Sequence, residues 1–317
     1  MAAIALDIGG TKIEGATFRA DGHIVDRYRE LIGSRTGAAV GQLAVEIAAL
    51  LMKRAAVDGI IVKNIGVCVP GIVHRSTKTV WAPNIPGWDD YPLHGQLSAA
   101  FPETTVSVDS DRSCSIYGES WLGSAAGCLD AVFVAVGTGI GLGIKVDGRV
   151  IHGFGDIAGA TGWMALEPPY DHKFDRCGCF EYYASGTGIG DCARAILGAQ
   201  HRDGAVDFGG AGTVAEVRAE NVFRAYDDGD PVARQVLEKA VRLWGMGAAN
   251  IISLFNPEYL IWGGGVFGPA VRFLDDIRRE ASQWAQPVAM EQVRFAAASP
   301  DINPILAGAA YIAFNHL

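Results

Sequence analysis

Two short runs of residues have the types and spacing to handle a phosphate. Asp7-Ile8-Gly9-Gly10-Thr11-Lys12 follows the apolar run Ala2 to Leu6, and Gly137-Thr138-Gly139-Ile140-Gly141-Leu142-Gly143 follows Ala131 to Val136. Each reads as a strand, a tight glycine turn and a further strand. Glycines admit positive φ and let successive amide N–H groups converge on an anion. Only the first loop carries a carboxylate, so one loop could manage a metal while both hold phosphates. Facing each other across a cleft, they would clamp a nucleoside triphosphate, and the chemistry implied is phosphoryl transfer. A single glycine hairpin is common in any β-containing protein; the pair carries the argument. Both loops lead back into strands (Ile13 to Phe18, Ile144 to Val146) rather than into a helix, which excludes the dinucleotide fingerprint. Lys12 lacks the wider glycine spacing of a Walker A loop, which excludes that motif as well.

The elements that must position these loops follow from periodicity. Strands are predicted at 3–8, 13–19 and 23–31, then an amphipathic helix over 37–56 in which Val40, Leu43, Ala44, Ile47, Leu50 and Leu51 recur at helical spacing. A buried strand from Ile65 to Val69 runs into Pro70-Gly71, and a turn-rich segment follows from Ala82 to Trp88. A helix near 92–100 precedes a strand, Thr105 to Val108, that ends on Asp109-Ser110-Asp111, with a helix at 112–122. The Asp130–Lys145 hairpin restarts the pattern, and 152–182 reads as loop. Helices are expected at 186–197, 213–226, 229–255, 269–283 and 305–315. The third opens on Asp230-Pro231, a cap with Pro in the first turn, and stops at Asn256-Pro257. Strand Tyr259 to Trp262 then enters Gly263-Gly264-Gly265. The repeated strand–loop–strand at 4–18 and 131–146 indicates two related α/β halves whose junction forms a cleft.

Composition narrows the class. A chain of 317 residues is long enough for two domains with substantial cores. Half the residues are hydrophobic, yet no apolar run reaches the roughly 18 residues of a membrane span. Met1 leads straight into a strand with no basic segment of a signal peptide, so a cytoplasmic location is expected. The net charge of -9 with scattered Lys and Arg argues against nucleic acid. Six cysteines, mostly single in apolar surroundings, read as reduced core thiols.

Taken in order, Asp7–Lys12, Val69-Pro70-Gly71, Asn84-Ile85-Pro86-Gly87-Trp88, Asp109-Ser110-Asp111, Gly137–Gly141, Gly178-Cys179-Phe180-Glu181 and Asn256-Pro257 with Gly263–Gly265 resemble the ROK family. That family comprises repressors, open reading frames and sugar kinases on an actin-like ATPase (ribonuclease H-like) fold. The resemblance covers nearly the whole chain. It implies an α/β protein of two domains around a cleft: 1–115 with the C-terminal helix at 305–317, and a larger domain over 116–304. ROK repressors carry a helix-turn-helix before the first loop; here Met1 and two alanines stand there, so the kinase branch is implied. The activity implied is ATP-dependent phosphorylation of a primary hydroxyl, the 6-OH of a hexose or hexose derivative. The alternative is a catalytically weak sugar- or nucleotide-sensing protein. A homodimer is implied, with no nucleic-acid or membrane partner.

The same resemblance distributes roles. Asp7 would hold Mg²⁺ through water, with Gly9, Gly10, Thr11 and Lys12 around the phosphates; Lys12 could equally face solvent. Gly137, Thr138 and Gly139 would take the other side of the triphosphate, and Gly263, Gly264 and Gly265 the adenosine. Asp111 is implied as general base, though it also reads as a helix N-cap; Asp109 is its non-catalytic neighbour. Sugar contacts fall on Gly71, Asn84, Ser110, Asp111, Ala160, Trp163 and Glu181. The chain departs from the family at Ser110, where Asn is usual, and at Gly159-Ala160-Thr161-Gly162-Trp163, where the family has Gly-Glu-x-Gly-His. The family's zinc run is also broken, since His172 and Phe174 occupy two of its cysteine positions. No structural zinc is expected, His172, Cys177 and Cys179 being the residual candidates. Trp163 and Phe174 are expected to fill the vacated volume by apolar packing. A second reading puts Trp163 against a sugar face, with Ala160 leaving room for a substituent larger than hydroxyl. The sugar stays open among glucose, mannose, fructose, N-acylmannosamine and amino sugars.

Overall fold

A computed structural model of the protein describes residues 2–200 and 204–317. In chain order its first elements are β1 (Ala2–Ile8), β2 (Lys12–Arg19), β3 (Ile24–Leu31), α1 (Ala38–Val57), β4 (Val62–Val69), β5 (Ile72–His74) and β6 (Thr79–Trp81). Next come α2 (Leu93–Ala100), β7 (Thr105–Ser110), α3 (Asp111–Trp121), β8 (Ala131–Val136), β9 (Ile140–Val146) and β10 (Arg149–Val150). Then follow α4 (Cys179–Ala184), α5 (Gly186–Gln200), β11 (Ala205–Phe208), β12 (Ala211–Thr213), α6 (Ala219–Asp227) and α7 (Pro231–Phe255). The chain closes with β13 (Tyr259–Gly263), α8 (Leu274–Ala281), α9 (Pro287–Gln292), β14 (Arg294–Ala297) and α10 (Pro304–Asn315). The elements divide into two compact units. One takes the chain up to Leu129 with Gly143–Ala158 and Ala298–Leu317, the other Asp130–Leu142 and Gly159–Ala297. Among the described residues no helix is long and apolar enough to cross a membrane.

The first unit is built on a mixed sheet in the order β3-β2-β1-β4-β7. β1 pairs antiparallel with β2 and parallel with β4, which is in turn parallel to β7. β1 is apolar and buried almost throughout, as a central strand covered on both faces must be, whereas β3 at the edge alternates toward solvent. One face is covered by α1, whose buried residues Val40, Leu43, Ala44, Ile47 and Leu51 recur at helical spacing. A second cluster joins β1, β2 and β4 to α3 and α10 through Ala5, Phe18, Cys68, Cys114, Leu306 and Ala309. The parallel register sets Asp7 beside Cys68, and Cys68 beside Asp109, at the C-terminal ends of β1, β4 and β7. In open α/β sheets that edge is where ligands bind.

The second five-stranded sheet runs β10-β9-β8-β13-β14, and the division between the units falls inside β9. β13 is parallel to both β8 and β14. The long α7 begins as its sequence requires, with the Asp230 carboxylate accepting from Val232 N at 2.8 Å and Ala233 N at 3.0 Å. It ends on Asn256, left-handed at φ 40°.

Some boundaries differ from expectation. The helix expected at 213–226 is a 3-10 turn, Val214–Glu216, and then α6, because the extended Arg218 offers its N–H to Asn221 Oδ1 at 2.9 Å and restarts the helix. The helix expected at 269–283 likewise opens as a 3-10 turn, Pro269–Phe273, before α8. The segment read as loop contains α4 at its end. The hairpins β5-β6 and β11-β12, the short α9 and the edge strand β14 show too few periods to register in sequence.

Candidate active site

In the first unit the residues of interest gather at the strand ends. The turn after β1 is closed by Gly9 N–H donating to Lys12 O at 2.9 Å. Burial pushes the Asp7 carboxyl up to about 6, reinforced by the charges of Glu14 and Asp111 and opposed by Lys12. Asp7 and Asp111 therefore share one field, and Lys12 lies close enough to act on it. On the same loop a β-carbon at Gly10 would come within 3.1 Å of the Asn84 carbonyl oxygen, so the first loop packs directly on the Asn84 turn.

Asp111 opens α3. The N-cap is the preceding residue, Ser110, whose hydroxyl accepts from Ser113 N–H at 3.3 Å. Reading Asp111 as the cap is thus corrected: one shorter side chain does that work and leaves the carboxylate in the first turn. Asp111 Oδ1 accepts from Arg112 N–H at 2.8 Å. Burial raises its proton affinity, while the Arg112 charge and the backbone donors of the helix start lower it. Ser110, expected as a sugar contact, is buried with its hydroxyl on the cap. Asp109 points elsewhere, its Oδ2 lying 2.9 Å from His152 Nε2. The thiols of Cys68 on β4 and Cys114 on α3 are fully buried, and burial pushes both up.

The elevated proton affinity of Asp7 has a consequence for stability. Its carboxyl is raised on folding, so the native state holds that proton more tightly and stability falls as pH rises from the ordinary carboxylate range to about 6. Asp7→Asn is expected to stabilise the ligand-free protein by about 2 kcal/mol at pH 7.5, with the gain vanishing near pH 4. Thermal unfolding of both proteins at the two pH values checks this.

The second unit holds the other loop. Gly137, Thr138 and Gly265 line a cavity of about 490 Å³ together with Arg218, Glu220 and Phe223. Of the expected phosphate and adenosine residues, these three are brought together; Gly263 is buried in β13, and Gly264 turns the chain at φ 89° against Val136 O. The contribution of α6 has no signal in sequence, since it enters from a distant part of the chain.

Glu181 on α4 accepts from Ile140 N–H at 2.7 Å, and β-carbons at Gly139 or Gly162 would collide with its carboxylate. It therefore bonds the second glycine loop and packs closely on Gly162 of the Ala160–Trp163 turn, and burial raises its proton affinity. Trp163 does not fill the core. It is 58% exposed, whereas Phe174 is buried. Gly178 packs on the Trp163 backbone, and the indole borders a separate cavity of about 400 Å³ with Tyr170, Phe174 and Cys179. Of the residual zinc candidates, His172 is nearly fully exposed and Cys179 is buried. Among the described residues no three His, Cys, Asp or Glu side chains are grouped to hold a metal ion.

The model of the ROK family matches residues 3–316. The chain belongs to the ROK family. A glucokinase of Halalkalibacterium halodurans is 30% identical over 302 residues, covering 92% of this chain and 88% of its own length. The ROK hexokinase of Thermus thermophilus superposes with a TM-score of 0.81 at 27% identity, over all of this chain and 99% of that one. The ROK glucokinase of Streptomyces griseus, solved with glucose and AMPPNP, gives 0.77 at 27% identity, over 99% of this chain and all of that one. The actin-like α/β architecture expected from the motif order is that of these ROK kinases.

Proposed function

We propose that this ROK protein is an ATP-dependent sugar kinase in which Asp111 is the general base toward a primary hydroxyl of a hexose or hexose derivative. The observation that carries the reading is Asp111 at the start of α3, relieved of capping by Ser110 and placed beside Asp7 at the open end of β1, β4 and β7. A half-buried carboxylate there takes the hydroxyl proton as the oxygen attacks the γ-phosphorus. Gly137 and Thr138 supply amide and hydroxyl donors to phosphate oxygens. Arg218 and Phe223 offer a cation and an aromatic face to the rest of the nucleotide. The glucose and AMPPNP bound by the Streptomyces griseus relative support the same pair of ligands here.

Mg²⁺ fits the first loop. Asp7 is a desolvated oxygen ligand whose charge Lys12 only partly offsets, and Mg²⁺ favours one or two carboxylates plus water and phosphate oxygens. When bound, it would neutralise charge on the transferred group. Asp7 would hold it through water; the protein's own chemistry is the proton transfer at Asp111 and the orientation of the hydroxyl. Asn84, Gly71 and Glu181 are assigned to the sugar.

ADP release with Mg-ATP over a panel of hexoses, N-acetylhexosamines and amino sugars tests the reading. Sugar-dependent turnover supports it. Calorimetric sugar binding without turnover would instead establish a sensor. The exposed indole of Trp163 is free to meet a pyranose face. The double substitution Ala160→Glu/Trp163→His is expected to change the ratio of kcat/KM between two sugars by about tenfold, or roughly 1.4 kcal/mol. An unchanged ratio refutes the role.

A further inference from the structure

The segment from Ile151 to Ala158 is bound to the strand end that carries Asp111, entirely within the first unit. Arg112, next after Asp111, donates from Nη1 to Ala158 O at 3.1 Å, and its Nη2 lies 3.5 Å from Gly71 O. The His152–Asp109 pair closes a second tie at 2.9 Å, with side chains only 14% and 13% exposed. Arg75 adds a third, its N–H donating to Asp156 Oδ2 at 3.1 Å while Nη1 lies 3.4 Å from His152 Nδ1. Ala158 N–H donates back to His152 O at 2.9 Å, so the segment is folded on itself as well as held.

We infer that Arg112 is a positioning residue for the phosphoryl transfer proposed above: its guanidinium holds the Gly71 and Ala158 backbones to the residue that follows Asp111 and supplies a cationic field at that carboxylate. The inference rests on the kinase reading. A guanidinium is a planar fork whose donors keep fixed directions, so two carbonyls gripped by one fork are fixed relative to each other. Gly71 and Ala158 come from separate loops, and the fork is hydrogen-bonded to both. The charge matters because the neighbours of Asp111 are mostly acidic. Asp7 on β1 and Asp109 on β7 both act on it, with the thiols of Cys68 on β4 and Cys114 on α3 close by. Lys12 and Glu14 act on Asp7 in opposite senses. Arg112 is the leading charge that opposes protonation of the base.

The test compares the full-length parent with Arg112→Met, which loses fork and charge, and Arg112→Lys, which keeps the charge alone. Sugar and ATP kinetics are measured across pH, with amide hydrogen exchange in parallel. For Arg112→Met the acid limb of kcat/KM is expected to move up by about one pH unit, since a lost neighbouring cation raises a carboxyl. Its sugar KM is expected to rise about tenfold through loop misplacement, with the ATP KM within about twofold. Exchange should quicken in the segments around Gly71 and Ala158. Arg112→Lys should return the acid limb to its parental place but not the sugar KM. This second variant decides the matter should Arg112→Met fail to fold. Parental pH limb or parental sugar KM in Arg112→Met overturns the inference, as does full rescue of KM by Arg112→Lys. A parent showing no sugar-dependent ADP release sinks the kinase reading and this inference with it, whereas an active parent with unaltered variants sinks the inference alone.

Discussion

Asp111→Asn is expected to lower kcat by about 10³–10⁴-fold, the upper range of what a positioned base contributes. Binding of the nucleotide, measured by calorimetry, should stay within about twofold, because the base acts on the hydroxyl rather than on phosphate. The amide is nearly isosteric, and Asn can still accept from Arg112 N–H through its carbonyl. The cap of α3 belongs to Ser110, so the helix start should persist and loss of activity would not reflect unfolding. In free-energy terms the loss is about 4–5 kcal/mol of transition-state stabilisation. Activity within about tenfold of the parent would remove Asp111 from the mechanism. The profile should also fall on the acid side in the parent, since burial raises the Asp111 carboxyl and only its ionised form accepts a proton.

The largest stability effect is expected where α10 seats on the first unit. Gly308 faces α3 so closely that an added β-carbon would collide with the Cys114 carbonyl oxygen, and one at Gly66 on β4 would collide with the Ala309 carbonyl. Both obstacles are backbone, and neither can rotate away. Overpacking of this kind costs about 3 kcal/mol, toward the upper end for inserted methyl groups. Gly308→Ala should therefore lower the first thermal transition by roughly 6–10 °C. Gly95→Ala on α2 is the control: nothing lies within 4 Å of its added methyl, and the exchange should leave stability unchanged or raise it by about 0.5–1 kcal/mol. Equal midpoints for Gly308→Ala and the parent would mean that α10 is not held as tightly as its packing requires. The carboxylates at the strand ends are carried by the same sheet that α10 covers, so ligand affinity should fall along with stability.

Several parts of this molecule are legible in its sequence. The apolar run of β1, the stripe along α1 and the Asp230-Pro231 start of α7 are local patterns, set by periodicity or by one side chain bonding its own backbone. The glycine loops were legible for the same reason, because a tight turn after a strand narrows the residues allowed. The order of motifs added the ROK family, which the family match confirms. Trp163 was not legible. Its burial depends on how Gly178 packs on its backbone, a contact between segments that sequence does not connect.

The amino-acid sequence by itself determined which short segments turn, which run extended and which helices start and stop, because those choices rest on sterics and hydrogen bonds within a few residues. It also determined that carboxylates and glycines stand at the ends of apolar runs, in the order that resembles the ROK family. Tertiary structure alone decided their company. The parallel register of β1, β4 and β7 set Asp7, Cys68 and Asp109 abreast. Packing brought α6 to the second glycine loop and turned Trp163 toward solvent. Arg112 is invisible as a pattern for the same reason: its partners, Gly71 and Ala158, become neighbours only when strands far apart in the chain are paired, and that pairing is an outcome of burying the whole core.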